Sequence, residues 1–256
     1  MRSITCRVVH EIDDFDVSSF VSVASHFGHD FYGYVVTPNV DHLIRYHEDA
    51  SFRKLYESAS FVLLDSRFVS HLFRIFKGMR LPVCTGSDLS AALLADVANS
   101  SDRVIFVGGS AEQAGYLAGT YQLTNVRHFN PPMGFIADPA SVEECLRFIE
   151  AESPFRFCFL ALGSPQQERI ANALRQRGVA RGLALCVGAS LNFLSGAEIR
   201  APRWLQSLGL EWAFRLLQNP RRMASRYLLR GPRILLHIRC ARIVLRRVPG
   251  TVRSRG

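Results

Sequence analysis

The 256-residue chain lacks several signatures that assign a protein to a class directly. No apolar run approaches the roughly 18 residues that a membrane-spanning helix needs. The six cysteines are scattered, several in apolar runs, and show no zinc-type spacing, so we expect free, buried thiols in a reducing compartment. The first residues are polar and soon acidic, so we expect no signal peptide. With 48% hydrophobic and 21% charged residues, disorder and fibrous repeats are excluded.

Familiar nucleotide and metal motifs are missing as well. There is no GxGxxG spacing for a nicotinamide cofactor and no GKS or GKT ending of a Walker A loop. Asp14-Phe15-Asp16 has the form of a DxD motif, but no long apolar strand precedes it, and a solvated turn is expected. His42 and His47 are expected to be structural or surface residues. The sequence therefore predicts neither a metal ion nor a cofactor.

Positive charge is concentrated in the C-terminal part of the chain. Residues 200–256 hold 14 Arg, no Lys and one acidic residue, Glu211, whereas residues 1–199 carry a net charge of −4. Such a cationic segment indicates an anionic partner, which can be nucleic acid, anionic lipid or phosphate. The exclusive use of Arg favours forked contacts with phosphate groups.

Short apolar runs alternate with helix-period segments. The predicted strands are 34–37, 61–65, 104–107, 157–162 and 183–187, and the predicted helices are 87–99, 111–123, 140–150 and 165–177. Continuous apolar strands separated by helices are typical of a parallel sheet covered on both faces. We therefore predict an α/β fold with a Rossmann-like parallel-sheet core and helices on both faces.

Two domains are predicted. Residues 1–199 form the α/β catalytic core, in which residues 1–30 are expected to be an edge strand or hairpin. Residues 200–256 form an Arg-rich, all-helical appendage that binds membrane or diphosphate, with helices at about 202–218, 221–230 and 232–247 separated by prolines. Arg222, Arg226 and Arg230 share one helix face, and apolar residues follow, which suits a membrane surface. Nucleic-acid binding is the alternative, although the segment has few aromatic side chains for base stacking.

Small or polar residues follow all five predicted strands, at the edge where open α/β sheets bind ligands. These residues are Thr37 and Asn39, Asp65, Gly108-Gly109-Ser110, Gly163-Ser164-Pro165 and Gly188-Ala189-Ser190. A carboxylate delivered by a strand, such as Asp65, can accept a proton from an attacking hydroxyl, or it can cap the next helix. The glycine turn at 108–109 can admit a phosphate to the backbone or be only a tight turn.

These residues belong to an ordered series of motifs. The series comprises Thr37-x-Asn39, Asp65, Gly86-Ser87-Asp88-Leu89, Gly108-Gly109, Gly163-x-Pro165-x-Gln167-Glu168, Gly188-x-x-x-x-Phe193-x-x-Gly196, Arg200-Ala201-Pro202-x-Trp204, Glu211-Trp212-x-x-Arg215-Leu216 and Pro220-x-Arg222-x-x-x-Arg226-Tyr227. Over about residues 30–235 the chain thereby resembles the WecG/TagA/CpsF family of bacterial glycosyltransferases, also called glycosyltransferase family 26.

The resemblance implies an activity. Members move a sugar from a UDP-sugar to an undecaprenyl-diphosphate-linked sugar, invert the anomeric centre to a β-linkage and work without a metal. The implied setting is bacterial exopolysaccharide or surface-polysaccharide assembly at the cytoplasmic face of the membrane. The partners are a UDP-sugar donor, a polyprenyl-diphosphate-linked acceptor and the anionic inner leaflet, with no nucleic acid; self-association is allowed. UDP-glucose, UDP-N-acetylmannosamine and its uronic acid are all open as donors.

The resemblance also implies roles by position. Asp65 resembles the catalytic base, and Thr37, Asn39 and Gln167 resemble pocket residues beside it. The implied substrate-binding residues are Gly108, Gly109, Gly163, Pro165, Gly188 and Asp88, with Arg200, Arg203, Arg215, Arg222 and Arg226 for diphosphate. Two departures from the family pattern, Ser66-Arg67 after the base and Gln166 in place of Lys, keep a non-catalytic nucleotide-sugar-binding module open as an alternative.

Overall fold

A computed structural model describes residues 9–28, 30–224, 228 and 231–246. The strands in this part of the chain are β1 (Val9–Asp13), β2 (Tyr32–Val36), β3 (Phe61–Val62), β4 (Val104–Val107), β5 (Val126–Phe129), β6 (Phe157–Leu160), β7 (Gly182–Cys186) and β8 (Arg242–Arg246). The helices are α1 (Val17–Ser25), α2 (Val40–Glu48), α3 (Ala50–Glu57), α4 (Arg67–Lys77), α5 (Gly86–Ala92), α6 (Ala111–Thr120), α7 (Pro139–Ala151), α8 (Gln166–Arg177), α9 (Ser190–Leu194), α10 (Arg203–Ser207), α11 (Glu211–Gln218), α12 (Pro220–Ala224) and α13 (Arg233–Cys240). A π-helical turn at Leu93–Val97 continues α5, and a 3-10 turn at Phe135–Ala137 precedes α7.

Six strands form one parallel sheet in the order β3-β2-β7-β6-β4-β5. Successive residues of a strand point to opposite faces of the sheet. In β2, Tyr34 and Val36 accordingly pack into one apolar cluster and Val35 into another. The four central strands, β2, β4, β6 and β7, are apolar and almost wholly buried. The predicted α/β fold, with helices on both faces of a parallel sheet, is confirmed.

Within residues 9–28 and 30, the expected edge strand is present as β1, one of the two strands of the β1–β8 sheet, and a helix follows it instead of a hairpin partner. β1 is followed by α1, because Asp16 caps that helix: its Oδ1 accepts from the Ser19 N–H at 2.9 Å. Ser19 Oγ in turn accepts from the Asp16 N–H at 3.0 Å, which completes a capping box. The Asp14-Phe15-Asp16 motif is therefore a turn and helix start, and its Phe15 side chain is buried in an apolar cluster.

The prediction that the C-terminal region is all helical is wrong. α13 ends at Cys240, and Arg242–Arg246 form β8, which pairs in parallel with β1 from Val9 to Asp13. Ile243 is buried and Val244 is exposed, the alternation of a strand with one covered face. The pairing also brings Arg246 to the buried Asp13, with Nε–Oδ1 at 2.7 Å. The partner strand β1 lies more than 230 residues before β8 in the sequence, so local periodicity does not show that residues 242–246 form a strand.

A third apolar cluster joins the C-terminal region to the core. Ile234 and Ile238 of α13 pack against Val69, Leu72 and Phe73 of α4. Ile12 of β1 and Ile243 of β8 belong to the same cluster. Helix α4, which begins two residues after Asp65, therefore packs against the C-terminal region through this cluster.

Candidate active site

Asp65 stands between a strand and a helix. Leu63 and Leu64, both fully buried, carry the chain from β3 to Asp65, whose N–H donates to the Pro38 carbonyl at 2.9 Å. Helix α4 is capped by Ser66, because its Oγ accepts from the Val69 N–H at 3.2 Å. Helix capping, the alternative role for Asp65, is thus carried out by its neighbour. The Asp65 carboxylate is left facing a cleft.

The cleft lies between the start of α4 and the segment that contains α10 and α11. Its cavity volume is about 80 Å³, and its lining consists of Asn39, Val40, Asp41, Asp65, Ser66, Arg67, Phe68, Gln206, Gly209, Glu211, Trp212 and Arg215. Gly209 has a φ of +73°, and a Cβ there would stand 3.1 Å from the Phe68 backbone. A glycine is required because the α10–α11 turn approaches α4 so closely. The C-terminal segment therefore covers Asp65.

The surroundings of Asp65 shift its proton affinity. Burial raises the pKa of this carboxyl to about 7; Arg215 acts to lower it, Glu211 to raise it, and a hydrogen bond from the Gly86 backbone to lower it. Arg215 and Glu211 are themselves paired at 3.0 Å, one helical turn apart on α11. A carboxylate with a pKa near neutrality is suited to general base catalysis at physiological pH.

A series of polar contacts links Asp65 to the ends of the neighbouring strands β2 and β7. The Thr37 hydroxyl, which is buried, donates to the Cys186 carbonyl at 2.8 Å and so ties the end of β2 to that of β7. A Cβ at Gly86 would lie 3.1 Å from Ser190 Oγ and 3.4 Å from Thr37 Oγ1. The backbone of Gly86, which hydrogen-bonds the Asp65 carboxyl, therefore also lies close to the Thr37 side chain.

Gln167, which follows β6 on the far side of β7, extends this series of polar contacts. Its Oε1 accepts from the Gly188 N–H at 2.9 Å, and its Nε2 donates to Glu168 Oε1 at 3.0 Å. Glu168 is fully buried, and burial raises its pKa to about 7, although the hydrogen bond from Gln167 acts to lower it. The predicted pocket residue Gln167 is therefore an internal bridge, oriented by a second carboxyl that the sequence analysis gave no role.

The remaining predicted residues divide by location. Asn39 lines the cleft and caps α2, where its Oδ1 accepts from the Asp41 N–H at 3.1 Å. The glycines and Pro165 lie after β4, β6 and β7 at the same edge of the sheet but do not line the cleft. A Cβ at Gly108, where φ is +94°, would be 2.8 Å from the Ala161 carbonyl oxygen. That glycine is needed for packing between strands β4 and β6, whatever ligand approaches it.

One of the predicted diphosphate arginines, Arg200, is paired with a carboxylate that a second arginine also contacts. Arg200 and Arg67 both pair with Asp88, at 2.5 and 3.2 Å. Although burial acts to raise it, hydrogen bonds from Arg200 and Thr85 lower the pKa of Asp88 to about 2. Asp88 is thus an anchor that joins α5 to the segment before α10.

Arg215 differs from that cluster. Its guanidinium lies over the Phe193 ring at 4.6 Å and lines the cleft. Its Nε is buried and has no hydrogen-bond partner among the residues that the structure describes. Arg203 is exposed on α10, while the Arg222 side chain and Arg226 lie outside the described part. Of the predicted arginines whose side chains the structure describes, Arg215 alone lines the cleft.

Glu211, Gln206, Phe68 and Trp212 are cleft residues that the sequence analysis did not assign to the site. The Glu211-Trp212-x-x-Arg215 motif contains a usable signal, because residues four apart share a helix face. In the described part of the chain, no group of three or more His, Cys, Asp and Glu residues is arranged to hold a metal ion. None of the helices in that part is long and apolar enough to cross a bilayer.

The amino-acid sequence matches a known protein family over most of its length. Residues 7–248 match the family model described as the glycosyl transferase WecG/TagA/CpsF family. The match includes the cleft, the strand-end residues and the β1–β8 pair. The chain therefore belongs to the WecG/TagA/CpsF family and is a glycosyltransferase of cell-envelope polysaccharide biosynthesis.

Proposed function

We propose that the protein is an inverting, metal-independent glycosyltransferase that moves a sugar from a UDP-sugar to an undecaprenyl-diphosphate-linked sugar. The observation that carries the proposal is Asp65, a strand-end carboxyl with a pKa of about 7 in a cleft that also contains Arg215. The division into a core of residues 1–199 and a substrate- and membrane-binding region of residues 200–256 is part of the same proposal.

The proposed reaction is a single displacement. Asp65 accepts the proton of an acceptor-sugar hydroxyl while that oxygen forms a bond to the anomeric carbon of the donor. The bond from that carbon to the diphosphate oxygen breaks, and UDP leaves with the electron pair. Because the nucleophile attacks opposite the leaving group, the configuration is inverted. Thr37, Asn39 and Gln167 shape the edge of the sheet at which the two sugars meet.

Arginine is proposed to stabilise the charge that grows on the leaving UDP. The buried Arg215 Nε, without a partner in the described part of the chain, offers a donor to a diphosphate oxygen. Donors that are already oriented in a water-poor site stabilise a developing charge more than they would in water. Arg203, Arg222 and Arg226 are proposed to assist Arg215, and Gly108, Gly109 and Gly188 to accept the nucleotide close to the backbone.

The test measures UDP release from UDP-glucose, UDP-N-acetylmannosamine and its uronic acid, with synthetic lipid-diphosphate sugars as acceptors, in EDTA. Wild type is compared with Asp65→Asn and with Asp96→Asn, a matched change at an exposed carboxylate. We expect acceptor-dependent release in wild type and Asp96→Asn only, with UDP binding kept in all three. Release that requires added Mg²⁺ would contradict metal independence. UDP binding without turnover in wild type would support the nucleotide-sugar-binding module instead.

A further inference from the structure

The C-terminal end of α4 exposes a basic and apolar cluster that the proposed chemistry does not use. It consists of Arg74, Ile75, Phe76, Lys77 and Arg80, which we call the α4 tip. Ile75 and Phe76 are 73% and 47% exposed, and all three basic residues are exposed as well. Large apolar side chains at the surface, side by side with cations, require an explanation.

The apolar stripe of α4 continues beyond the core that it packs against. Leu72 and Phe73 are buried in the cluster shared with α13, and Phe76 follows them by four and three residues, on the same helix face. α13 contributes Ile234 and Ile238 to that cluster and exposes Leu235 and Leu236, at 44% and 58%. Two packed helices thus both expose apolar side chains beyond their shared core.

The charges of the α4 tip are of one sign. Between Asp65 and Asp88 the sequence contains no acidic residue, and within the described part of the chain neither Arg74 nor Arg80 forms an ion pair. Some arginines elsewhere on the surface are paired with carboxylates: Arg177, for example, contacts Glu143 at 2.6 Å. Arg74 and Arg80, which form no ion pair in the described part of the chain, place positive charge beside apolar side chains. Such a surface is complementary to an anionic lipid surface, where apolar side chains insert and cations face headgroups.

We propose that the α4 tip is a membrane-contact site of the catalytic core, and that it binds the surface of an anionic bilayer. α4 begins at the residue after Ser66 and spans 11 residues, which corresponds to about 16 Å of helix. The helix therefore links the bilayer surface at one end to the cleft with Asp65 at the other. The biological purpose of the contact rests on the proposed function, but the binding itself is measurable without turnover.

The first test measures binding of the full chain to vesicles by co-sedimentation. Phosphatidylglycerol-containing vesicles are compared with pure phosphatidylcholine vesicles for wild type and for Ile75→Ser/Phe76→Ser. We expect wild type to prefer the anionic vesicles and the double variant to bind them roughly tenfold or more weakly. Tyr116→Ser/Val179→Ser, which removes two apolar side chains that are also 55% exposed, is expected to bind as wild type does.

Charge and insertion are tested separately. Arg74→Gln/Arg80→Gln is expected to weaken anionic binding by roughly fivefold per charge, and salt is expected to do the same. Phe76→Trp gives a second readout once the emission of wild type, which contains Trp204 and Trp212, is subtracted. The added emission should shift to the blue on anionic vesicles and be quenched by brominated lipid. This readout uses a substitution that keeps a large apolar side chain, so it does not depend on the folding of the serine variant.

Three results would overturn the proposal: equal vesicle binding by wild type and Ile75→Ser/Phe76→Ser, no preference of wild type for anionic vesicles, or an unquenched Phe76→Trp emission. A serine variant that keeps vesicle binding but changes oligomeric state would assign the α4 tip to contact between copies instead. Sugar transfer to a detergent-dissolved acceptor is measured in parallel and should be unchanged by Ile75→Ser/Phe76→Ser. If no variant, nor wild type, shows transfer while vesicle binding follows the expected pattern, the proposed function fails and the membrane site stands.

Discussion

Asp65 and Glu168 share a pKa of about 7 but lie in different surroundings. Asp65 lines a cleft and stands near a cation, Arg215. Glu168 is fully buried at the start of α8, and its Oε1 accepts from Gln167. Burial is the main cause of the raised pKa in both cases.

The comparison shows that proton affinity and catalytic competence are separate properties. A carboxyl with a neutral pKa acts as a general base only where a substrate hydroxyl can reach it. Asp65 lines the cleft in which the proposed function places the acceptor hydroxyl, whereas Glu168 has no exposed surface. Glu168 instead orients Gln167, which in turn holds the Gly188 turn at the end of β7.

The largest expected effect separates the two carboxyls by activity. Asp65→Asn should lower kcat/KM by roughly 10²–10⁴-fold, because it removes the general base. Glu168→Gln should keep activity within roughly tenfold, since an amide oxygen can still accept from Gln167. Steady-state kinetics with one donor–acceptor pair provides the measurement. Equal losses in the two variants would break the comparison.

The pH dependence of the rate should follow Asp65 alone. Because a base must be deprotonated, kcat/KM should rise about tenfold per pH unit below pH 7 and level off above it. Glu168→Gln should leave the midpoint of this rise in place. If the midpoint of the Glu168→Gln variant differs from that of wild type, the buried carboxyl controls the pH dependence of the reaction.

The two carboxyls should behave alike in stability. Both have a pKa above that of an unfolded chain, so the folded state binds more protons between about pH 4 and pH 7. Their contribution to stability is therefore lost as pH rises through this window. Asp65→Asn and Glu168→Gln should each raise the free energy of unfolding at pH 8 by something on the order of 2–4 kcal/mol, and by less at pH 5. Urea unfolding at the two pH values tests this, and destabilisation at pH 8 would contradict it.

The smallest expected effect is a shift of the pH–rate profile when a charged neighbour of Asp65, Arg215 or Glu211, is removed. Arg215→Gln removes a charge that lowers the Asp65 pKa, so the rising limb of the rate profile should move to higher pH. Glu211→Gln removes a charge that raises it, so the limb should move to lower pH. Each shift should be below roughly one pH unit, because both charges act across a partly solvated cleft. Shifts in the same direction would show that the geometry of the cleft has changed instead.

The sequence predicts the central sheet well, because buried parallel strands are continuous apolar runs. Strand β4 begins and ends where it was predicted. β5 was missed because it contains Arg127 and His128, which an edge strand tolerates. β8 was taken for helix because its partner β1 lies at the other end of the chain.

The location of a candidate site residue could be inferred from the sequence when the residue follows an apolar strand. It could not be inferred when the location depends on a tertiary contact. Asp65 and Thr37 follow apolar strands, so their location could be inferred from local pattern. The cover of the cleft could not, because it results from the close approach of Gly209 to Phe68 across 141 positions of sequence. Likewise, the pairing of Arg200 with Asp88 joins residues 112 positions apart in the sequence and could not be inferred from local pattern.

The pairing of β1 with β8 has a consequence for the order in which the molecule is completed. Asp13 is fully buried, accepts from the Val62 N–H at 2.7 Å and obtains its compensating cation from Arg246. A chain emerging from the ribosome presents that carboxylate more than 200 residues before the arginine exists. Since an unpaired buried charge is costly, this corner of the fold closes only after translation has passed β8. The ion pair of Asp13 with Arg246 therefore forms late, once both strands of the β1–β8 pair have been synthesised.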